Sequence, residues 1–392
     1  MHLALVIERL DPASDGGNRA ALDVAGELAT RGHHLTLITA RRSPEAALPG
    51  PVDIRVWPHL YVGYPSQLAS FSDWAANQVA AAGAQASLSF TPLVPADILH
   101  TWNAPLPLAQ AHEPPQRVGL IQRVLDSVFE ESRLHQKTLR RLEERTLASP
   151  ALRRVLALDE AAAQAYRTHY PLPPERVQVV PPGVRAPAEP PAERIRIGQR
   201  IRHGLGVPPS ACAFFFPAWP LRHEVARATF RAFRQAALAT KDLVLLAGGE
   251  MTFALHHLAV ETGAREYLRL VPTAARLEHL YFTADTTLLP VTYHPCSRAV
   301  LMSLRLGIPV IAARGDGASA YVQGAGPGRC GRVVDSPLDE NALAAAITEL
   351  ADPVERARCQ AAAQPLAREL ALATHVNRLE AILAELQATP PR

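Results

Sequence analysis

A strand–turn–helix–strand alternation runs through the first half of this chain, breaks at a proline-rich stretch and then starts again, and nothing else in the sequence restricts the fold as much. The opening LALVIE, the turn at Asp15-Gly16-Gly17-Asn18, the helical pattern AALDVAGELATRG and the run HHLTLITA form one βαβ unit. DIRVWP from Asp53, a helical stretch around Phe71 to Ala82, and the runs ADILHTW, QRVGLIQRV and RRVLALDE continue the pattern. Their near-continuous apolar character predicts parallel strands covered on both faces. After residue 196 the alternation restarts with CAFFFPA, DLVLLAGGE, LRLV, TTLLPVTY and IPVIAA, separated by helical stretches. The expected fold class is therefore α/β, with two Rossmann-like doubly wound domains facing a central cleft.

Length agrees, because 392 residues exceed what one hydrophobic core usually organises. The expected boundaries are 1–185 for the first domain, 186–196 for a proline-rich linker and 197–375 for the second domain. A C-terminal helix and tail, 376–392, is expected to pack back on the first domain. With 48% hydrophobic and 20% charged residues the chain is not of the disordered class. A net charge of +3 gives no global field for nucleic acid. Cys212, Cys296, Cys330 and Cys359 lack C-x-x-C spacing and read as free thiols of a reducing compartment. MHLALVIERLDP lacks the pattern of a signal peptide and no run of 18 apolar residues occurs, so a cytoplasmic location is expected.

Open α/β sheets bind ligands outside the carboxyl ends of their strands. Gly16 and Gly17 lie between the first strand and the first helix, where glycine serves equally for a tight turn or for close approach of a ligand to a helix N-terminus. The stretch Leu288 to Ala312 reads as strand, proline-containing turn, helix opening near Ser297, a Gly307-Ile308-Pro309 stop, and strand. Backbone N–H groups at the start of that helix, over Arg298 and Ala299, suit a diphosphate, while Ser297 also suits a helix cap. Gly248 and Gly249, and Gly315, Asp316 and Gly317, follow strands and are expected to line the ligand cleft. Asp126 to Ala148, with Leu134, Leu139, Leu142 and Leu147, reads as a solvated amphipathic helix.

EAAAQAYRTHYPLPPERVQVVPPGV, ADTTLLPVTY, VLMSLRLGIPVIAA and the opening forty residues resemble the hallmark stretches of retaining family-four GT-B glycosyltransferases. Within that family the chain is most similar to the lipopolysaccharide core glucosyltransferase I group. The resemblance spans most of the chain and weakens between about 55 and 120. It implies an acceptor-side N-terminal domain, a C-terminal domain for a nucleotide sugar of the UDP-glucose type, and no cofactor or metal, with cationic groups and helix N-termini neutralising the departing diphosphate. It also implies a glycan or glycolipid acceptor of the cell envelope, and peripheral contact with the inner membrane through the basic stretch Arg133 to Arg145.

Several positions depart from the family pattern. The glutamates of its E-x7-E motif fall on His294 and Met302, and a thioether is a poor partner for a ribose diol. Losing charge-assisted bonds of about 1.5 to 3 kcal/mol each weakens nucleotide binding by on the order of a hundredfold. Arg222 aligns with the family's phosphate-binding arginine, but Glu224 stands where a lysine is expected. Gln122 and Arg123, at the end of the run QRVGLIQRV, occupy the neighbourhood of the family's acid–base position, and His100 is the nearest ionisable group suited to proton transfer. Two functions follow as expectations. One is a retaining hexosyltransferase whose donor contacts are rebuilt around Arg222, His294 and Arg298. The other is a non-catalytic relative that binds carbohydrate or a partner, its cleft filled by side chains such as Met302 and Trp219.

Overall fold

The structure, a computed structural model, describes residues 1–12, 16–111, 126–217, 222–248, 252–271, 277–324 and 329–388; for 126–133, 252, 253 and 277 it describes the backbone only. The chain divides into two compact units, Met1–Gly183 together with Leu372–Arg392, and Val184–Ala371.

Unit 1 contains β1 (His2–Val6), β2 (Arg9–Leu10), α1 (Gly17–Thr30), β3 (His34–Thr39), β4 (Arg41–Arg42), β5 (Val52–Val56), α2 (Pro65–Ala81) and β6 (Ala86–Ser89). It continues with β7 (Ile98–Leu99), α3 (Leu106–Ala111), α4 (Asp126–Leu147), β8 (Arg154–Ala157), α5 (Glu160–His169) and β9 (Val177–Val179). Its main sheet has seven strands in the order β5-β3-β1-β6-β7-β8-β9, parallel in every pair. The central β1 is buried from Leu3 to Val6, as a strand covered by helices on both faces requires, whereas the edge strand β5 is only partly covered. Local chemistry sets the helix starts. Gly16 precedes α1 with φ of 77°, a conformation that favours glycine. Asp159 caps α5 by accepting the N–H of Ala162 at 2.7 Å.

Unit 2 contains α6 (Pro191–Gly204), β10 (Cys212–Pro217), α7 (His223–Ala239), β11 (Leu243–Gly248), α8 (Thr252–Glu261), β12 (Leu268–Val271), α9 (Leu277–Tyr281) and β13 (Thr286–Leu289). Then come α10 (Arg298–Arg305), β14 (Val310–Ala313), α11 (Ser319–Gln323), β15 (Gly331–Val334), α12 (Glu340–Ala351), α13 (Pro353–Ala363) and α14 (Leu366–Glu369). Six parallel strands run in the order β12-β11-β10-β13-β14-β15. Phe214, Phe216, Phe230 and Phe233 lie in the core formed by this sheet with α7 and α12. The last helix, α15 (Leu372–Ala388), returns to unit 1 and packs on α1.

Several details differ from the sequence reading. The segment before the proline cluster carries an edge strand, β9, and α6 starts at Pro191, inside the 186–196 stretch read as linker, and runs to Gly204. Pro191 is its first residue, where the missing N–H has no helical partner to lose. The short strands β6 and β15 are additions, and the run QRVGLIQRV lies outside the described residues. Helix α4 is not only a solvated face: Leu142 and Leu147 are buried and Leu134 is exposed. Glu143 on the same helix is buried and takes hydrogen bonds from the Leu106 N–H and the Tyr170 hydroxyl. In the basic stretch, Arg140 pairs with Glu144 and Arg145 with Asp73, while the Arg133 side chain lies outside the described residues. Among the described residues no helix is long and apolar enough to cross a membrane, and all four cysteines are free and buried.

Candidate functional site

In both sheets the first strand of the unit lies in the middle and the chain moves outward on one side before crossing to the other, so the direction of winding reverses between β1 and β6 and between β10 and β13. A crevice for a ligand opens at the carboxyl edge where such a reversal occurs.

In unit 2 that edge is formed by the loop after β13, the loop after β14 and the start of α7. His294 and Asp316 pair as neighbours across the two loops. The His294 N–H donates to the Gly315 carbonyl at 3.0 Å, and the Gly317 N–H donates to the His294 carbonyl at 2.8 Å. Gly315 is needed for this approach, because a Cβ there would stand 1.9 Å from the Thr292 carbonyl oxygen. Asp316 is fully buried, and its Oδ1 accepts two N–H groups at 2.9 Å, from Ser297 and from Ala318. Burial pushes its pKa up, opposed by the neighbouring His294 and by these hydrogen bonds. Asp316 Oδ2 is buried with no hydrogen-bond partner among the described residues.

Ser297 is the N-cap residue of α10, yet its side chain makes no capping bond to that helix. The carboxylate that meets its N–H comes from Asp316 in the next loop. His294, Arg298 and Ala299 are half-buried around this helix start. The Cys296 N–H donates to His294 Nδ1 at 3.1 Å, so in this arrangement the ring N–H is on Nε2. Met302 is buried on the inner face of α10 with Leu301 and Leu304, and the Ser303 hydroxyl ties that face to Thr287 of β13 at 2.7 Å. Arg222 precedes α7 and lies 3.6 Å from Glu224 in an ion pair open to solvent. Gly248 ends β11 and is buried; a Cβ there would stand 2.7 Å from Leu280 Cδ1, a packing reason for glycine. Gly249 and Trp219 lie outside the described residues.

In unit 1, Gly16 and Gly17 begin α1 beside Trp102, whose Cβ would be 3.1 Å from a Cβ on Gly17. The Trp102 indole Nε1 is buried without a hydrogen-bond partner among the described residues. At the same edge the Tyr61 hydroxyl donates to Glu8 Oε1 at 2.9 Å, and the Arg9 guanidinium lies over the Tyr61 ring. Burial and the Glu8 charge push the Tyr61 pKa up. His100 is not at an open strand end but wholly inside unit 1, with both ring nitrogens engaged. Burial lowers its pKa to about 4. A group that transfers a proton to substrate needs hydrogen-bond reach to it, and His100 in this arrangement reaches only protein. Gln122 and Arg123 lie outside the described residues.

His294, Ser297, Arg298, Ala299, Gly315, Asp316 and Gly317 are thus brought together, while Gly248 is a packing glycine at the end of β11. Sequence reasoning missed Asp316 as the partner of the α10 N-terminus and missed Trp102. The only sequence signal for the former was an acidic residue between two glycines after a strand.

Residues 14–186 match the family described as Glycosyltransferase Family 4, and residues 228–365 match the family described as Glycosyl transferases group 1. The first match lies almost wholly in unit 1 and the second within unit 2, and the two parallel-sheet α/β units have the fold of GT-B glycosyltransferases. Its fold is similar to that of WaaG, a glycosyltransferase involved in lipopolysaccharide biosynthesis, at TM-score 0.76 and 17% identity over 97% of this chain and 99% of that one. Anabaena HepE in complex with UDP and glucose aligns at TM-score 0.68 and 15% identity over 98% and 100% of the two chains. Sucrose-phosphate synthase from Thermosynechococcus elongatus aligns at TM-score 0.72 and 16% identity over 99% of each. A curated relative, D-inositol 3-phosphate glycosyltransferase of Acidothermus cellulolyticus, is 30% identical over 201 residues, which are 48% of this chain and 43% of that protein. The likeness therefore spans less than half the length of that relative.

Proposed function

We propose that this chain transfers a hexose from a nucleotide sugar, UDP-glucose-like, to a cell-envelope glycan or lipopolysaccharide-type acceptor, with retention at the transferred carbon. The observation that carries the reading is the α10 start, where His294, Arg298 and Ala299 gather at the carboxyl edge of the unit 2 sheet. The first N–H groups of a helix have no partner within it and favour an anion such as a diphosphate. Arg298 and Arg222 would add positive charge as the diphosphate departs, and His294 Nε2–H would donate to a donor oxygen. Retention follows when the acceptor hydroxyl attacks on the face the diphosphate leaves, its proton passing to the departing phosphate oxygen. The acceptor belongs to unit 1 in this reading. The complex of HepE with UDP and glucose supports the donor class, and the lipopolysaccharide role of WaaG supports the acceptor class. Calorimetry with UDP-, GDP- and ADP-glucose is the direct test; a micromolar to millimolar UDP-sugar signal is expected, and no heat with any of the three would sink it.

A second reading, a catalytically degenerate chain that binds carbohydrate or a partner, is favoured by one specific pattern. Two of the anion-binding features of the donor edge already have an internal acid: Asp316 on the Ser297 N–H and Glu224 on Arg222. Under it, calorimetry gives no nucleotide binding and sugar release from UDP-glucose stays at background. Turnover by the purified chain would exclude it.

A further inference from the structure

The two chain crossings between units, Gly183–Val184 and Ala371–Leu372, sit beside a buried pair of imidazoles. His100 follows β7 and His375 lies in the first turn of α15; both are fully buried, and their Nε2 atoms are 3.1 Å apart. His100 Nδ1 is 3.1 Å from the Leu156 carbonyl, and His375 Nδ1 is 2.9 Å from the Pro181 carbonyl, two residues before the outgoing crossing.

Three contacts in this row each need one proton: nitrogen to carbonyl, nitrogen to nitrogen, nitrogen to carbonyl. Two neutral imidazoles carry two protons between them. One contact is therefore always a lone pair facing a lone pair unless a third proton enters and makes the pair cationic. The Pro181 carbonyl has a second donor, the Arg378 guanidinium at 3.4 Å, so His375 is the ring that can spare its Nδ1–H. The neutral arrangement is then His100 protonated on Nδ1, His375 protonated on Nε2 and donating to His100, and His375 Nδ1 bare.

A third proton would complete the row but would place a cation where little stabilises it. The surroundings are the rings of Phe90, 5.9 Å from His100, and Trp102, 6.3 Å from each imidazole. The charged group acting on His375 from its own helix is Arg378, also a cation. His33 and Arg31 meet Glu380 elsewhere on the same helix, and that carboxylate is already engaged by them. Desolvation of a buried cation, several kcal/mol, exceeds the gain from one more hydrogen bond, about 1.5 to 3 kcal/mol.

We infer that the His100–His375 contact is an acid-sensitive clasp that holds α15 on unit 1 where the chain passes between the units, and that a proton entering at His375 releases it. Burial lowers both rings, His100 to about 4 and His375 to about 3, the latter lowered further by His100 and Arg378. A pKa depressed in the docked state means that the undocked helix binds more protons between that value and about 6.5, the ordinary histidine value, so docking weakens as pH falls through this window. The Val184–Ala371 bridge keeps the two crossings side by side within unit 2, so the clasp governs only their unit 1 ends.

Hydrogen exchange of the full chain tests this, corrected for the pH dependence of intrinsic exchange. The opening of α15 is expected to rise about tenfold or more from pH 7 to pH 5, while α12 stays level. His375→Phe and His375→Gln, which do not titrate, are expected to flatten that slope, and His33→Gln is expected to leave it in place. A flat wild-type profile, or a slope kept in either His375 variant, overturns the clasp. Imidazole 15N shifts of the wild-type chain decide if neither variant folds. Two neutral rings at pH 7, with His375 gaining its proton as α15 opens, support the clasp, and a ring already cationic at pH 7 overturns it.

Discussion

Asp316 shows how one side chain can join two loops that the sequence leaves unconnected. Its Oδ1 serves two N–H groups from separate loops, so Asp316→Ala leaves both unserved in a buried place and is expected to cost about 1 to 3 kcal/mol of unit 2 stability. Asp316→Asn keeps an acceptor and removes the charge. Because the folded pKa of Asp316 is raised, ionisation costs stability as pH rises, and stability from this group is fullest in acid. The Asn variant is therefore expected to match or exceed the wild type at pH 7 and to lose the Asp316 share of the pH dependence, read by denaturant titration at pH 5 and pH 8. With the negative charge gone from the α10 start, UDP is also expected to bind several-fold more tightly in calorimetry, about 1 kcal/mol. Glu224→Lys is the complementary change. The exposed Arg222–Glu224 pair contributes at most about 1 kcal/mol, so stability should hardly move, whereas replacing an acid by a base beside a diphosphate should tighten UDP about tenfold. Unchanged UDP affinity in both variants would remove the diphosphate from this edge.

At the scale of elements, α7 carries the inner wall of unit 2. Phe230 is fully buried, 5.8 Å from the Phe216 ring, and its helix packs on α12. Phe230→Ala is expected to destabilise unit 2 by about 3 to 5 kcal/mol through lost transfer energy and the cavity left behind. Calorimetric scanning should show the unit 2 transition lowered and the unit 1 transition unmoved. The elements that the sequence made legible were those with long apolar runs, such as β1, β3, β10 and β11, where burial on both faces leaves little choice of residue. Harder to read were β6, whose ASLS alternates with serine, and β9, three residues enclosed by prolines. Helix α6 was hidden because Pro190 and Pro191 punctuate a linker and a helix start alike. In the site, the α10 start was legible as strand, turn and helix. Its partner Asp316 was not, since the bond joins residues 19 apart through a backbone register that no local pattern encodes. His100 was legible as a histidine at a strand end but not as a core residue, because its partner His375 stands 275 residues away.

For the whole molecule, the discontinuity of unit 1 has a measurable consequence. Helix α15 contributes Leu372, Val376, Leu379, Ile382, Leu383 and Leu386 to the interior, and Arg31 of the α1 C-terminus reaches its Ala373 carbonyl, Asn377 and Glu380. Each buried aliphatic side chain is worth about 1.5 to 3 kcal/mol. Six of them together rival the 5 to 15 kcal/mol by which a typical domain is stable. A chain ending at Ala371 is therefore expected to lose the cooperative fold of unit 1 while unit 2, complete between Val184 and Ala371, keeps its own. Scanning calorimetry of the shortened chain should show a single transition, and limited proteolysis should leave a protected fragment beginning near Val184. Two surviving transitions would mean that the sheet and helices of residues 1–183 suffice, and that α15 is an addition to unit 1 and not part of its core. A shortened chain with no transition at all would mean instead that unit 2 depends on unit 1, so the experiment separates the stability of each unit from the connection between them.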